Sequence, residues 1–164
     1  MNNEIKMRTC CFTGHRPKNL KYSEEKIKPL LKKAIGKAID DGYINFITGM
    51  APGADIWAAE IVLEYKKSNN GIHLLCAIPH AGFEKCRTLR EEAEYNLITL
   101  YADRTAVLSP KYFKGCYMER NKFMVERSSL VIAVFNGRPS GTKNTIDYAM
   151  SQNIKIVNIL KNNE

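Results

Sequence analysis

Three glycine-bearing loops are the part of this sequence whose residue types suit phosphate binding. They comprise residues 13–17 (TGHRP), 48–55 (TGMAPGAD) and 136–142 (NGRPSGT). Glycines let backbone N–H groups come close to an anion, and the N-terminus of a following helix adds a positive partial charge. The guanidinium of Arg16 suits a phosphate through two parallel hydrogen bonds. Together the loops predict a site for a phosphate-bearing ligand.

The candidate ligand-binding residues come from these loops and from two predicted helices beside them. Asp55 either caps the helix that follows its loop or holds a ribose hydroxyl, and Glu60 lies on the same helix. Arg120 and Asn121 open a later helix, where they either face solvent or reach the ligand. The candidate set is Thr13, Gly14, His15, Arg16, Thr48, Gly49, Gly53, Asp55, Glu60, Arg120, Asn121, Asn136, Gly137, Ser140, Gly141 and Thr142.

Two well-known phosphate motifs are missing from the sequence. It contains neither G-x-x-x-x-G-K-[ST] nor G-x-G-x-x-G, which disfavours a P-loop ATPase and an ordinary NAD dehydrogenase. His15, His73 and His80 show no metal-ligand spacing with any cysteine, which argues against a zinc site. We therefore expect no metal and no cofactor, and the sequence assigns no catalytic residue.

The elements that position these loops alternate between short apolar runs and longer amphipathic segments. Strands are predicted over residues 7–13, 43–48, 72–78, 105–108, 130–135 and 154–160. Helices are predicted over residues 55–67, 84–101, 118–126 and 142–152, with an earlier one that starts after Ser23 or near Pro29 and ends at residues 41–42. This alternation predicts an α/β fold, an open, mostly parallel sheet with helices on both faces. In such sheets ligands bind beyond the carboxyl ends of the strands, and all three loops belong to that edge.

Length and composition predict one globular domain over residues 1–164. The chain is 45% hydrophobic, and no apolar run approaches the roughly 20 residues of a membrane span. The N-terminus shows no signal peptide, and five cysteines without a C-x-x-C pair indicate a reducing, cytoplasmic location. Cys10, Cys11 and Cys76 lie in apolar stretches, where a free cysteine usually behaves as a small buried hydrophobic residue.

The net charge of +8 invites an anionic partner. Much of this charge belongs to a lysine-rich face of the first long helix, which we expect to face solvent. We also expect Arg87 and Arg90, beside Glu91, Glu92 and Glu94, to lie on a solvent-facing side of a helix with ion pairs along it. Single-stranded nucleic acid is one candidate partner, because basic and aromatic residues follow one another around an irregular stretch at residues 109–117 that suits a lid or a partner contact. The basic residues are Lys111, Lys114, Arg120, Lys122 and Lys143, and the aromatic ones are Tyr112, Phe113 and Tyr117.

At these loops the sequence resembles the YpsA-like family of the SLOG superfamily, which also includes the DNA-processing protein DprA and the Lonely Guy phosphoribohydrolases. TGHRP, TGMAPGADIWAAEIVLEYK and RNKFMVERSSLVIAVFNGRPSGTKNTIDYA carry the resemblance, which extends from about Met7 to Ile159. It implies a Rossmann-like fold that binds nucleotides, nucleotide-derived signals or nucleic acid. It also implies a homo-oligomer, a dimer or higher, formed through helices that flank the sheet.

Motif details favour some of these relatives over others. Lonely Guy enzymes carry P-G-G-x-G-T-x-x-E, and here Thr145 stands at the position of the glutamate, which disfavours nucleotide N-glycosidic cleavage. The run SGT…TI…YA resembles the signature of DNA-processing proteins, and Arg120-Asn121-Lys122 resembles their R-N-R segment. The leading prediction is therefore a domain that binds a nucleotide or nucleotide-derived ligand as a sensor, sequestering protein or regulator. The alternatives are a single-stranded nucleic-acid-binding module and a nucleotide N-glycosidase.

Overall fold

Six parallel strands form one open sheet in the computed structural model, which describes residues 2–161 without the side chain of Cys86. The strands are β1 (Thr9–Gly14), β2 (Asn45–Thr48), β3 (His73–Ile78), β4 (Arg104–Val107), β5 (Leu130–Val134) and β6 (Lys155–Asn158). Their spatial order is β4-β3-β2-β1-β5-β6. The predicted α/β, Rossmann-like fold is confirmed, and every pairing between these strands is parallel.

Helices cover both faces of the sheet. They are α1 (Asn3–Met7), α2 (Glu24–Asp40), α3 (Ala54–Ser68), α4 (Leu89–Tyr101), α5 (Cys116–Glu126) and α6 (Gly141–Ser151). Apolar side chains of α2, α3 and α4 pack on one face in the larger hydrophobic core, and those of α5 and α6 pack on the other face in a smaller one. Within the described residues, none of the helices combines the length and the hydrophobicity that crossing a bilayer requires.

The structure decides between the two predicted starts of one helix and corrects the predicted start of another. Helix α2 begins at Glu24, so Pro29 lies inside it and the earlier of the two predicted starts is correct. The third predicted helix, placed at residues 84–101, instead divides into a 3₁₀ turn (Phe83–Cys86) and α4. Thr88 and Glu91 cause this break, because they form a capping box that fixes the first turn of α4.

The cysteines predicted to be buried are buried. Cys10, Cys11 and Cys76 are fully enclosed in the strands that they occupy. Burial raises the pKa of the Cys11 and Cys76 thiols to about 12, so both stay protonated and unreactive near neutral pH. These residues therefore build the core.

The sheet reverses its direction of winding between β1 and β5. Gly14 at the end of β1 pairs with Val134 at the end of β5, while the chain leaves these strands toward opposite faces. Such a switch point opens a crevice beyond the carboxyl ends of the two strands. Gly14 also lets α3 approach β1, because a Cβ at this position would overlap the Cβ of Ala54.

Candidate functional site

A crevice of about 270 Å³ opens at the switch point between β1 and β5. Ten of the sixteen candidate residues line it, namely Thr13, Gly14, His15, Arg16, Asp55, Arg120, Asn121, Ser140, Gly141 and Thr142. Five further residues complete the lining, namely Phe12, Asn19, Ala51, Phe83 and Tyr117. The fold thus brings parts of all three predicted loops together with the first two turns of α5, the second loop contributing Ala51 and Asp55.

The first turn of α6 presents unpaired backbone donors to this crevice. Ser140 caps the helix, since its hydroxyl oxygen accepts a hydrogen bond from the Lys143 amide at 3.2 Å and its carbonyl accepts one from Asn144 at 3.1 Å. The amides of Gly141 and Thr142 find no acceptor within residues 2–161. A Cβ placed on Gly141 would meet no atom within 4 Å, so the approach to these amides is open. An anion at this position would also meet the positive end of the helix dipole.

His15 lies at the other side of the crevice and is almost completely buried. Only 3% of its surface is exposed, and its ring stacks on Phe135 with the ring centroids 5.3 Å apart. Its Nε2 has no hydrogen-bond partner. Burial lowers the pKa of His15, a hydrogen bond with the Asn136 side chain opposes that effect, and the charge of Arg138 lowers the pKa further. A buried, unpaired imidazole nitrogen is costly unless a ligand supplies the missing partner.

Arg120 holds the floor of the crevice together. Its guanidinium is 5% exposed, donates through Nη1 to the carbonyl oxygen of Gly49 and donates through Nε to the side-chain oxygen of Asn121 at 2.8 Å. Asn121 in turn donates to the hydroxyl of Thr145 at 2.8 Å, and that hydroxyl donates to the carbonyl of Gly141 at 2.9 Å. This chain of hydrogen bonds fixes α5 between the second loop and the start of α6.

The second predicted loop, residues 48–55, uses its backbone donors internally. The amide of Met50 donates to the Thr48 hydroxyl at 3.2 Å, and the amide of Ala51 donates to the carboxylate of Asp55 at 3.3 Å. The amide of Gly49 also interacts with that carboxylate. Burial raises the pKa of Asp55, while the charge of Arg120 and these backbone hydrogen bonds oppose the rise. The loop therefore folds around its own anionic side chain.

Three candidate residues of the second loop do not line the crevice, because each is packed against its own loop or a neighbouring residue. Thr48 is fully buried, and its hydroxyl donates to the carbonyl of Asp55 at 2.9 Å. Gly49 faces the guanidinium of Arg120, which leaves no room for a Cβ. Gly53 precedes α3 with φ +95°, a backbone conformation that favours glycine, and it packs against Pro17.

The remaining three candidates are also separated from the crevice. Glu60 lies on α3 and forms an ion pair with Lys28 of α2 at 2.8 Å. Asn136 donates to the carbonyl oxygen of Asn19 at 2.9 Å and thereby connects the third loop to the 3₁₀ turn (Pro17–Asn19) that follows the first loop. Gly137 has φ +87° in an exposed turn, where its role is to allow that turn.

A comparison with family models assigns this chain. The model of the YspA SLOG family matches residues 10–160. The chain belongs to that family. Similar curated proteins include a UPF0398 protein of Bacillus thuringiensis (strain Al Hakam), 26% identical over 160 residues that cover 93% of this chain and 87% of that protein. The SPbeta prophage-derived protein YoqJ of Bacillus subtilis (strain 168) is 27% identical over 138 residues, which cover 77% of this chain and 79% of YoqJ.

Solved structures of the DNA-processing protein DprA share the fold. The protein from Streptococcus pneumoniae matches with a TM-score of 0.66 and 20% identity over 93% of this chain. The protein from Helicobacter pylori, whose structure describes a single-stranded DNA binding mode, matches with a TM-score of 0.65 and 15% identity over the same share. This member of the YspA SLOG family spans 50% of the first protein and 65% of the second.

At the position of the Lonely Guy glutamate, this family member has a buried threonine. Thr145 is fully enclosed, and its hydroxyl is engaged with Gly141 and Asn121. Asp147 is exposed and pairs with Lys143 at 2.6 Å. Among the described residues that line the crevice, Asp55 alone carries a carboxylate.

Arg87 is a structural residue that the sequence does not reveal. The prediction that it faces solvent on a charged helix face is wrong, because it precedes α4 and its Nη2 donates to the carbonyl oxygen of Met50 at 2.6 Å. Its guanidinium lies 4.9 Å from the ring centroid of Phe83 and 4.7 Å from that of Tyr95. Arg90 is exposed as expected and pairs with Glu94 at 2.8 Å. The capping-box spacing of residues 88–91 is the signal that could have separated the two arginines.

Proposed function

We propose that this chain binds a compact, phosphate-bearing nucleotide or nucleotide-derived ligand in the crevice between β1 and β5. One observation carries the proposal: Gly141 and Thr142, whose amides are unpaired, and His15, whose buried Nε2 is also unpaired, all line the same crevice. Each group needs a hydrogen-bond partner, and the amides favour an anionic one. A phosphate supplies several acceptor oxygens at once.

Arginine side chains make the same crevice electropositive. Arg120 contributes a fixed charge at the floor, and exposed Arg16 contributes a second charge at the rim. Asp55 offsets part of this charge, so the net field suits a small anion. A ribose hydroxyl has polar partners available in the Asn121 and Thr13 side chains, which line the crevice nearby.

Thermal unfolding with a panel of ligands tests the proposal. We expect nucleoside monophosphates, diphosphates, cyclic nucleotides or ADP-ribose derivatives at millimolar concentration to raise the Tm, since a ligand at 100 times its Kd adds about 2.7 kcal/mol. Arg16→Gln should weaken the effect without lowering the Tm of the free protein. Arg104→Gln, an exposed arginine on β4, is the matched control. No stabilisation by any member of the panel would refute the proposal.

Single-stranded nucleic acid is the second candidate ligand. The fold shared with DprA of Helicobacter pylori favours it, and the exposed lysines Lys111 and Lys114 precede α5. Two other basic candidates are partly neutralised, because Lys143 pairs with Asp147 and Lys122 lies 3.9 Å from Glu119. Titration of a labelled oligonucleotide at two salt concentrations tests this candidate. A steep loss of affinity at the higher salt is expected for phosphate tracking, and weak, salt-insensitive binding would exclude it.

Self-association is a separate prediction, for which we propose the outer face of α4. Four large apolar side chains of this helix are exposed, namely Leu89, Leu97, Leu100 and Tyr101. Leu97, Leu100 and Tyr101 are spaced i, i+3 and i+4, so they share one side of the helix, and exposed apolar surface of this kind is typical of contact sites. Light scattering should give a dimeric mass or higher, and Leu97→Glu should reduce it to that of the monomer. A monomeric wild-type protein would contradict the prediction.

A further inference from the structure

The crevice has one wall that a phosphate does not explain. Phe83, from the 3₁₀ turn before α4, and Tyr117, from the first turn of α5, both line it. Their ring centroids are 5.9 Å apart, and both rings contact His80, at 5.8 and 6.1 Å. Tyr112 closes the group with contacts to His80 at 5.5 Å and to Tyr117 at 6.0 Å. We call these four residues the aromatic wall.

The aromatic wall is held in place but not covered. Tyr117 is 40% exposed and Tyr112 is 59% exposed, whereas His80 beneath them is buried. Behind Phe83 lies the guanidinium of Arg87, which its bond to the carbonyl of Met50 fixes in position. Rings that are rigidly supported and still reach solvent form a ready surface for stacking, because little conformational entropy remains to be lost.

One face of α5 connects the aromatic wall to the protein groups that we propose bind the phosphate. Tyr117, Arg120 and Asn121 are spaced i, i+3 and i+4, so they project from the same side of the helix, and all three line the crevice. The start of α6 lies at the same crevice with its free amides. A ligand that satisfies both parts has an anionic end and a flat aromatic end.

From this juxtaposition we propose that the aromatic wall is a nucleobase subsite, with the base stacked on Tyr117 and flanked by Phe83, whose ring is tilted by 60° to that of Tyr117, while the phosphate occupies the start of α6. The inference rests on the proposed function and narrows it: the ligand is a phosphorylated nucleoside, free or within a strand, and not a sugar phosphate. Stacking of a base on an aromatic side chain is tolerant of sequence, since every base has a π-face. The subsite therefore accepts both purines and pyrimidines.

Calorimetric titration with AMP, UMP and ribose 5-phosphate separates the base subsite from the phosphate site. We expect wild-type protein to bind AMP and UMP about tenfold or more tightly than ribose 5-phosphate, in line with the effect of removing one stacking ring. Tyr117→Leu should abolish that preference and leave the affinity for ribose 5-phosphate within about twofold. Tyr117→Phe should retain it, and Phe83→Leu is the second test should Tyr117→Leu fold poorly.

Two controls make the outcomes distinct. Tyr43→Leu, a partly buried tyrosine just before β2 at the amino edge of the sheet and so away from the crevice, should leave every affinity unchanged. A ten-nucleotide oligo(dT) strand, titrated in parallel, shows whether the base arrives free or in a strand. If ribose 5-phosphate binds wild-type protein as tightly as AMP, or if Tyr117→Leu keeps the full preference, the subsite is refuted and the phosphate site stands. If none of these probes binds, the proposed function fails together with the subsite.

Discussion

Two loops at the carboxyl edge of the sheet look alike in sequence and differ in structure. The loop at residues 48–55 begins at the last residue of β2, and the loop at residues 136–142 begins two residues after the end of β5. Each contains two glycines four residues apart and leads into a helix. In the first loop the amides of Gly49, Met50 and Ala51 are all engaged by Thr48 and Asp55. In the second, Ser140 caps part of the helix and the amides of Gly141 and Thr142 stay open.

The difference comes from one acidic side chain. Asp55 lies in the first turn of α3 and folds back on its own loop, whereas the first turn of α6 contains no acidic residue. A carboxylate near a helix N-terminus is a bound anion supplied by the chain itself. A glycine-bearing loop that carries its own carboxylate is therefore a structural unit, and one that lacks it is open to an external anion.

Substitution of Arg120 should cause the largest loss of stability, because this side chain connects the loop at residues 48–55 to the loop at residues 136–142. Arg120→Met leaves the Gly49 carbonyl unpaired and Asp55 buried without its main opposing charge. We expect the free energy of unfolding to fall by about 3–5 kcal/mol, as for other broken buried charge pairs. Urea unfolding measures this loss.

The double variant Asp55→Asn/Arg120→Met checks the cause. It should recover part of the stability, since it no longer buries an unpaired carboxylate. Lys122→Ala, two residues along α5 and partly exposed, should change stability by less than about 0.5 kcal/mol. Equal losses in the double variant and in Arg120→Met would show that charge does not link the two loops.

A matched pair of glycine substitutions tests the loops directly. In Gly49→Ala the new Cβ would lie 2.7 Å from the guanidinium carbon of Arg120 and 2.8 Å from the Asp55 carboxylate. Overpacking of this kind costs about 1–3 kcal/mol. Gly141→Ala adds its Cβ in open space and should leave stability within about 0.5 kcal/mol while it obstructs the ligand.

Urea unfolding and nucleotide titration together measure the pair. The expected pattern is crossed, because Gly49→Ala mainly lowers stability and Gly141→Ala mainly lowers affinity. Gly141→Ala with unchanged nucleotide affinity would remove the start of α6 from the site.

Removal of the Ser140 cap should have a smaller effect. Ser140→Ala takes away the hydroxyl that accepts from the Lys143 amide, so we expect a loss of about 1 kcal/mol in unfolding free energy. Ser151→Ala, at the other end of α6, is the control and should cost less, because its exposed hydroxyl does not cap the helix and bonds its near neighbours, the carbonyl of Tyr148 and the side-chain amide of Gln152. Thermal unfolding of the two variants side by side gives the difference. A cost for Ser151→Ala as large as that for Ser140→Ala would contradict the assigned cap.

The fold and the location of the site could be predicted because they depend on patterns that are local in the sequence. Apolar runs gave the strands, helical spacing gave the helices, and their alternation placed all three loops at one edge. The folding of Asp55 back onto its own loop could not be predicted, although the residue itself is visible in the sequence. This folding depends on Arg120, which lies 71 residues from Gly49 in sequence, and on the rotamer that turns Asp55 back on its loop.

The start of α4 was predicted wrongly for a different reason. Thr88 and Glu91 have the spacing of a capping box, so the sequence does carry the signal that separates the 3₁₀ turn from the helix. The surrounding residues are charged and favour a helix, so the capping box was overlooked and one helix was predicted over residues 84–101. This error also hid Arg87, whose position just before the cap directs its guanidinium between Phe83 and Tyr95 rather than toward solvent.

Titration of His15 should have the smallest effect on stability, but the direction of that effect follows directly from the shift in the pKa of His15. Burial lowers its pKa in the fold, so as the pH falls below its ordinary value of about 6.5 the unfolded chain takes up the proton first. The free protein should therefore lose stability below that pH. A bound phosphate reverses the sign, because it gives the protonated ring an anionic partner and raises the pKa of His15.

Proton uptake on nucleotide binding measures this reversal. Calorimetry at pH 6.0 in two buffers with different ionisation enthalpies should show uptake of a fraction of a proton per site, and much less at pH 8.0. The second ionisation of the phosphate itself lies near pH 6, so the informative quantity is the difference between wild type and His15→Gln. His73→Gln, on the exposed start of β3, should behave as wild type. Identical uptake by wild type and His15→Gln would mean that the unpaired Nε2 of His15 does not meet the phosphate, which would then depend on the backbone amides at the start of α6 and on Arg16 and Arg120.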